Sequence, residues 1–142
     1  MRLFLDANIL FLAGYSPTSP VHDLFALAAT GDCELLSSEY ALEEARRNLR
    51  LKADRDSLER FETAITAIIQ VQEASGAALE QAHAVNLSDA SDIPILAAAL
   101  QSGADALVTG DRRALGAIFG QRIGSLRVLR LRDALTEILD KI

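Results

Sequence analysis

The chain has 142 residues, of which 50% are hydrophobic, and it carries a formal net charge of −6 at pH 7. These values fit one compact domain spanning residues 1–142, and the absence of an apolar run long enough for a membrane span or a signal peptide leads us to expect a cytoplasmic protein with no membrane contact. The negative charge argues against a protein that coats nucleic acid through general basicity, since phosphate binding needs lysine and arginine.

Apolar periodicity and capping residues predict strands that alternate with helices. Short apolar runs indicate the strands, and apolar residues spaced three and four apart behind a cap, such as Ser38 or one of Asp54 and Asp56, indicate the helices. In chain order the predicted elements are a strand at 3–5, a helix from 20 to 31 capped by Ser19, a strand at 33–37, a helix at 39–51, helical spacing over 58–69, a helix at 77–85, a helix from Ser91 to Gly103, a strand at 106–109, a short helix around 115–119, a strand at 126–131 and a helix at 133–142. This alternation predicts an α/β fold with a mainly parallel sheet.

Two predicted strands each end in an acidic residue. Asp6 follows the strand at 3–5, with Asn8 two residues later, and Asp111 comes shortly after the strand at 106–109. The carboxyl ends of parallel strands meet at one edge of a sheet, where open α/β folds bind their ligands. If the two strands are neighbours, Asp6 and Asp111 come together at this edge, and Asn8 can orient a group or act as a ligand there.

The helix predicted at 39–51 carries a further acidic candidate. Its apolar face consists of Leu42, Ala45 and Leu49. Glu44 and Asn48 are one turn apart beside this face, so Glu44 can reach inward from a buried edge. Glu43 points in another direction and can pair with a neighbouring arginine.

A third acidic region opens the helix that precedes the strand at 106–109. Ser91 is its predicted cap, and Asp92 and Pro94 lie in the first turn. Asp92 either serves only the helix dipole or reaches the same edge of the sheet. Asp89 is an added acid that belongs either to this site or only to the loop.

These segments together resemble the PIN-domain nucleases, including the VapC-like toxins. The resemblance spans nearly the whole chain and rests on Asp6 with Asn8, Glu44 with Asn48, Asp92 in SDIPILAAAL, and Asp111 in LVTGD. Each piece alone is a weak signal, whereas four acids in this order are much more specific. The resemblance implies a three-layer α/β/α fold and a metal-dependent ribonuclease.

The resemblance also assigns roles to the acidic residues. It implies that Asp6, Glu44, Asp92 and Asp111 gather at the carboxyl end of the parallel sheet and bind Mg²⁺ or Mn²⁺. Thr109 matches the family's usual threonine before the last acid, while a shift of one residue would exchange Glu44 for Glu43. Oxygen ligands suit such hard cations, and the chain lacks the cysteine and histidine clusters of zinc sites. A bound ion would activate water for attack on a phosphodiester.

The same resemblance also implies binding partners for the protein, and two other functions stay possible. The resemblance implies an RNA substrate, a homodimer and, for the toxin of a toxin-antitoxin pair, an antitoxin. The candidate RNA contacts are Arg46, Arg47, Arg50, Arg112 and Arg113. Two other hypotheses stay open: a PIN-fold protein that binds RNA or a partner without cleaving, and an unrelated acidic-pocket protein such as a phosphatase or receiver domain. Against the latter, the first strand ends in Asp-Ala-Asn and lacks the Asp-x-Asp pair of one such phosphatase class.

Overall fold

The computed structural model describes residues 1–110 and 118–142. The strands in these residues are β1 (Arg2–Leu5), β2 (Glu34–Ser38), β3 (Ile69–Val71), β4 (Ala106–Val108), β5 (Arg122–Ile123) and β6 (Leu126–Leu129). The α-helices in the same residues are α1 (Ala7–Tyr15), α2 (Val21–Ala29), α3 (Glu39–Lys52), α4 (Arg55–Ala64), α5 (Ala77–Ala84), α6 (Ile93–Ser102) and α7 (Leu131–Asp140). They form a three-layer α/β/α arrangement around one sheet, which confirms the predicted fold class.

The order of the strands creates a crevice in the middle of the sheet. The strands lie in the order β3-β2-β1-β4-β6-β5, and within the described residues every neighbouring pair is parallel except β5 with β6. From β1 the chain moves outward through β2 and β3, and it then returns to β4 on the opposite side of β1. Ligands of open α/β sheets bind outside the carboxyl ends of the strands where the winding reverses in this way.

The two strands at this reversal form the centre of the core. Leu3, Phe4 and Leu5 of β1 have no exposed surface, and the same holds for the three residues of β4. Such strands, covered on both faces, are typical of parallel sheets between two layers of helices. None of the helices in the described residues is long and apolar enough to cross a membrane.

Local signals placed most of the helix ends correctly. The Ser38 hydroxyl accepts a hydrogen bond from the Ala41 amide and caps α3. The Asp54 carboxylate accepts one from the Ser57 amide and caps α4. Helix α6 ends at Gly103, whose φ of +73° lies in the left-handed region that glycine adopts without strain.

Several predicted elements are wrong in type or extent. The helical spacing over 58–69 suggested one helix, but α4 ends at Ala64, a 3₁₀ turn covers Ile65–Ala67, and Ile69 begins the edge strand β3. The apolar residues of this segment satisfy both periods, so their spacing alone does not distinguish a helix from a short strand. The apolar run after Asn8, which was given no type, is helix α1.

The C-terminal third also differs from the prediction. The last parallel strand ends at Leu129, α7 begins at Leu131 ahead of the predicted 133, and the antiparallel strand β5 was missed. A strand of two residues leaves too little pattern to detect. The short helix predicted around 115–119 falls largely outside the described residues.

Gly14 allows three helices to approach closely. A Cβ atom at this position would lie 2.7 Å from the Ser57 carbonyl oxygen, 2.8 Å from Phe61 Cβ and 2.9 Å from Leu49 Cδ1. These atoms belong to α3 and α4, and the Arg60 guanidinium of α4 donates to the Gly14 carbonyl. The absence of a side chain at Gly14 therefore sets the spacing between α1 and its two neighbours.

We expect Gly14→Ala to lower the free energy of unfolding by about 1–3 kcal/mol, because the added methyl collides with backbone and buried carbon. Helix propensity alone would act in the opposite direction by about 1 kcal/mol. Urea denaturation followed by circular dichroism measures the change. Gly110→Ala is the matched control, since within the described residues its Cβ would first meet Asn8 and Ile9, at 3.8 Å. A Gly14→Ala variant as stable as the wild type would contradict the close approach.

Candidate functional site

The first side chains of the site lie where β1 and β4 end side by side. Leu5 pairs with Val108 in the parallel ladder, and the Asp6 amide donates to the Val108 carbonyl at 3.0 Å. The Thr109 hydroxyl donates to Asp6 Oδ2 at 2.6 Å, and the other carboxylate oxygen of Asp6 accepts from the Ala7 amide at 2.7 Å. Asp6 is 2% exposed and Thr109 is fully buried. The carboxylate is therefore held in one orientation at the head of α1.

Asn8 ties the chain after β4 to the same edge. Its side-chain oxygen accepts a hydrogen bond from the Gly110 amide at 3.0 Å. Gly110 immediately precedes Asp111, the fourth predicted acid, which lies outside the described residues. Asn8 thus fixes the backbone at the last described position before that acid.

Helix α3 presents Glu44 and Asn48 toward this edge. Leu42, Ala45 and Leu49 are buried, as the apolar stripe predicted, and Glu44 and Asn48 lie beside them half-buried. Glu43 lies on the other side of the helix, where it pairs with Arg46. Glu44 therefore lies on the inner side of the helix and Glu43 does not, which distinguishes two adjacent acids that the family resemblance left exchangeable by a shift of one residue.

The segment before α6 corrects the predicted cap. Asp89 Oδ1 accepts from the Ser91 amide at 2.9 Å and from the Ser91 hydroxyl at 2.7 Å, so Asp89 is the capping residue and Ser91 its partner. A 3₁₀ turn over Ala90–Asp92 follows, and α6 begins at Ile93. The hydrogen bonds from Ser91 lower the pKa of Asp89 below its ordinary value. Sequence favoured Ser91 as the cap of α6 because serine is a common cap, but Asp89 caps the 3₁₀ turn and Asp92 occupies the N-cap position of α6.

A cavity of about 360 Å³ collects these side chains. It is lined by Asp6, Asn8, Phe11, Glu44, Asn48, Lys52, Asp89, Ser91 and Asp92. Asp92 is buried, with 6% of its surface exposed. Three of the four predicted acids, both predicted amides and the additional acid Asp89 therefore line one cavity, and Thr109 lies behind Asp6.

Phe11 and Lys52 line the cavity although the sequence analysis did not select them. Lys52 is four residues beyond Asn48 and eight beyond Glu44, so it continues their face of α3. Phe11 is one turn beyond Asn8 in α1. Helical spacing from the polar residues of the site was the available signal for both. For Phe11 the signal became usable only once α1 was known to be a helix, and Lys52 lies one residue beyond the predicted end of its helix.

Tyr40 reports the electrostatic character of this region. The pKa of its phenol is raised, first by burial and then by the negative charge of Glu44. Asp89 and Asp92 act in the same direction, and Arg47 opposes them. The acids of the cavity therefore generate a negative potential that extends to the first turn of α3.

The donor atoms of the cavity are carboxylate, amide and hydroxyl oxygens, which are the ligands that hard divalent cations prefer. Among residues 1–110 and 118–142, no three histidine, cysteine or acidic side chains already form a group that could hold a metal ion. The types of ligand thus fit Mg²⁺ or Mn²⁺, while the described part of the chain does not by itself complete the coordination.

The candidate RNA-contacting arginines occupy different environments. The Arg46 side chain is 18% exposed, lies over the Phe61 ring and pairs with Glu62 as well as Glu43. These contacts give Arg46 a packing role, which differs from the exposed position expected of it. Arg47 and Arg50 are exposed on α3, and the remaining two, at 112 and 113, lie outside the described residues.

The chain belongs to the PIN-domain family, because the family model described as PIN domain matches residues 2–113. This match covers all four predicted acids and extends beyond β4. No curated protein sequence matches the chain at a significant level.

Solved structures with VapC-type names share the fold. VapBC2 from Rickettsia felis, bound to a DNA fragment from its promoter, is 17% identical, with a TM-score of 0.65 over 92% of this chain and 98% of the other. VapC20 from Mycobacterium tuberculosis, a toxin that cleaves the sarcin-ricin loop, is 15% identical, with a TM-score of 0.52 over 78% and 90%. FitAB bound to an IR36 DNA fragment is 18% identical, with a TM-score of 0.53 over 91% and 94%. At these identities the likeness establishes the fold.

We expect Thr109→Val to destabilise the protein by about 1–3 kcal/mol, because Asp6 loses a buried donor while the side-chain volume is preserved. A double-mutant cycle with Asp6→Ala, measured by urea denaturation, isolates the contribution of this contact. Additive effects of the two substitutions would show that the hydrogen bond contributes nothing to the stability of the site.

We expect Glu44→Gln to lower the pKa of Tyr40, since the lost negative charge no longer disfavours the phenolate. The pKa stays above its ordinary value because burial, the larger cause, remains. An alkaline titration of tyrosinate absorbance in a Tyr15→Phe background reports Tyr40 alone, since the chain has 2 tyrosines and no tryptophan. Glu43→Gln is the control and should leave the pKa unchanged. An equal response to both substitutions would contradict the positions of the two acids.

Proposed function

We propose that this PIN-domain protein is a Mg²⁺- or Mn²⁺-dependent endoribonuclease that hydrolyses RNA phosphodiester bonds. The observation that carries the proposal is the cavity at the carboxyl edge of the sheet, where Asp6, Glu44 and Asp92 come from three separate parts of the chain. Acidic residues gathered at one edge are costly, since like charges ~4 Å apart repel by roughly 1 kcal/mol in water and by more in a less polar setting. A function that uses their combined charge accounts for their presence in one cavity.

In this proposal Asp6, Glu44, Asp92 and Asp111 hold the metal ion. When bound, a divalent cation supplies an activated water and stabilises negative charge on the phosphate that is attacked. The donor set supports this assignment because the cavity wall is rich in oxygen ligands and contains neither cysteine nor histidine.

The neighbouring side chains of the chain orient these acids. The Thr109 hydroxyl and the Ala7 amide hold the two oxygens of Asp6, which limits rotation of its carboxylate. The Asn8 side-chain oxygen accepts from the Gly110 amide and so holds the last described residue before Asp111. Asn48 lies one turn from Glu44 on the cavity wall, where its amide can position Glu44 or a group of the substrate. Such supporting contacts commonly change activity by ten- to a hundredfold.

The biological setting that we propose is a toxin-antitoxin pair, in which this chain is the toxin and a separate antitoxin protein is its partner. Support comes from the fold shared with VapBC2 and FitAB, each of which is bound to a DNA fragment, and with VapC20, a toxin that cleaves the sarcin-ricin loop. Exposed Arg47 and Arg50 supply positive charge on α3, the helix that carries Glu44, for contact with RNA phosphates. A cytoplasmic location remains a prediction from the apolar runs of the sequence, and a homodimer remains a prediction of the family resemblance.

Cleavage of RNA oligonucleotides with and without divalent cations tests the proposal. We expect Mg²⁺ or Mn²⁺ to support cleavage, EDTA to abolish it, and Asp6→Asn, Glu44→Gln and Asp92→Asn each to reduce the rate by about a hundredfold or more. Glu43→Gln is the matched control: it changes the adjacent residue of α3, outside the cavity, and should retain wild-type activity.

Thermal unfolding provides a second measurement that does not depend on substrate. An ion that binds the folded protein should raise its melting temperature, and the three cavity variants should reduce this increase. Metal-independent binding of RNA without cleavage by the wild type would instead favour the non-catalytic alternative. No response to any divalent cation in either assay would refute the metal site.

A further inference from the structure

Two rows of side chains extend from the acidic cavity along neighbouring helices. Glu44, Asn48 and Lys52 follow one another at intervals of one turn on α3, and Phe11 and Tyr15 do so on α1. The two helices start at the same edge of the sheet because each follows a strand of the parallel ladder. They pack directly against each other at Gly14. A surface lined by both rows therefore begins at the cavity and continues away from it.

The row on α1 is aromatic. The rings of Phe11 and Tyr15 are stacked, with centroids 5.0 Å apart and planes inclined by 22°. Phe11 forms part of the cavity wall, whereas Tyr15 is 50% exposed. Phe11 thus supports one side of the Tyr15 ring while much of Tyr15 faces water. Exposed aromatic rings of this kind offer a stacking surface for a nucleic-acid base.

The row on α3 ends in a positive charge. Lys52 lines the same cavity as the acids and is exposed, and within the described residues it forms no ion pair. Its three donor hydrogens are thus accessible to an anion that enters the cavity. A cation on the rim of an acidic cavity suits a ligand that brings its own negative charge, such as a backbone phosphate.

We propose that Tyr15, supported by Phe11, and Lys52 form a nucleotide subsite beside the acidic cavity. This subsite holds one unpaired nucleotide of a single-stranded RNA, with its base stacked on Tyr15 and a phosphate bound by Lys52. The inference rests on the proposed function and adds the residues that would hold one nucleotide. The base must be unpaired, because a paired base has its faces covered by its neighbours in the duplex. The strand thereby enters the cavity along the interface of α1 and α3.

Binding of a labelled single-stranded RNA of about ten nucleotides, a length within the range of such sites, tests the subsite by fluorescence anisotropy. The measurement is made in EDTA, so it requires no cleavage. We expect Tyr15→Leu to weaken binding by about tenfold, and Tyr15→Phe, which keeps the ring, to bind like the wild type. A duplex of the same sequence should be insensitive to Tyr15→Leu.

The salt dependence of binding separates the role of Lys52 from that of Tyr15. Loss of one phosphate contact lowers the slope of log affinity against log salt by about 0.7 for a single strand. We expect this change for Lys52→Gln, wild-type behaviour for Lys52→Arg, and an unchanged slope for Tyr15→Leu. Tyr15 and Lys52 are exposed, so these substitutions should leave the fold intact, and melting temperatures check this.

A spectroscopic measurement locates the base directly. With only 2 tyrosines in the chain, labelling with 3-fluorotyrosine gives two ¹⁹F resonances, and Tyr15→Phe assigns them. We expect single-stranded RNA to shift the Tyr15 resonance more than that of Tyr40. An RNA-bound spectrum in which the Tyr15 resonance does not move would overturn the subsite.

The outcomes also separate this inference from the proposed function. Metal-dependent cleavage with unchanged RNA affinity and salt slope in Tyr15→Leu and Lys52→Gln would overturn the subsite alone, and would leave the aromatic pair for a protein partner. Binding that depends on both residues in a protein that cleaves no RNA would support the subsite and refute the nuclease. A wild type with no affinity for single-stranded RNA would overturn the subsite.

Discussion

The parallel pairing of β1 with β4 is the constraint on which the site depends. Residues 3–5 of β1 and all of β4 are fully buried, so a slip of one residue would exchange the two faces of an apolar strand and move Asp6 relative to Thr109. In the observed register, the Thr109 hydroxyl donates a hydrogen bond of 2.6 Å to Asp6, although the two residues are 103 positions apart in the sequence. The same register places Asn8 within reach of the Gly110 amide. Core packing and site geometry are therefore set by one strand pairing.

Helix α3 carries two adjacent acidic residues that face different surroundings. Successive residues of a helix point about 100° apart, so Glu43 reaches Arg46 on the outside while Glu44 faces the cavity. Arg46 is in turn held over Phe61 and against α4, which leaves the more exposed basic residues of α3 for contact with a polyanion. The helix thus joins α4 on one side and supplies the site on the other.

The charge of the protein is consistent with this division. A chain with a net charge of −6 repels nucleic acid at long range, so any affinity for RNA depends on local features. The cavity concentrates negative charge that a divalent cation can offset, and Lys52 with the Tyr15 ring adds attraction beside it.

Structures that share only 15–18% of the sequence retain the same fold, which indicates that the pattern of buried strands and helices, more than residue identity, specifies the scaffold.

The sequence alone determined the features that depend on near neighbours. Buried strands read as short apolar runs, Ser38 and Asp54 capped the helices expected of them, and Gly103 ended α6, because each signal acts within one helical turn. The family resemblance added the acids that line the cavity, but it left Glu43 and Glu44 interchangeable.

Only the tertiary structure decided which side chains share a surface. It made Ile69 part of an edge strand, put Asp89 at the cap of the 3₁₀ turn that precedes α6, and placed Phe11 and Lys52 on the cavity wall. The physical reason is distance along the chain. Contacts between remote segments depend on the sheet register and on helix packing, and neither leaves a local pattern in the sequence.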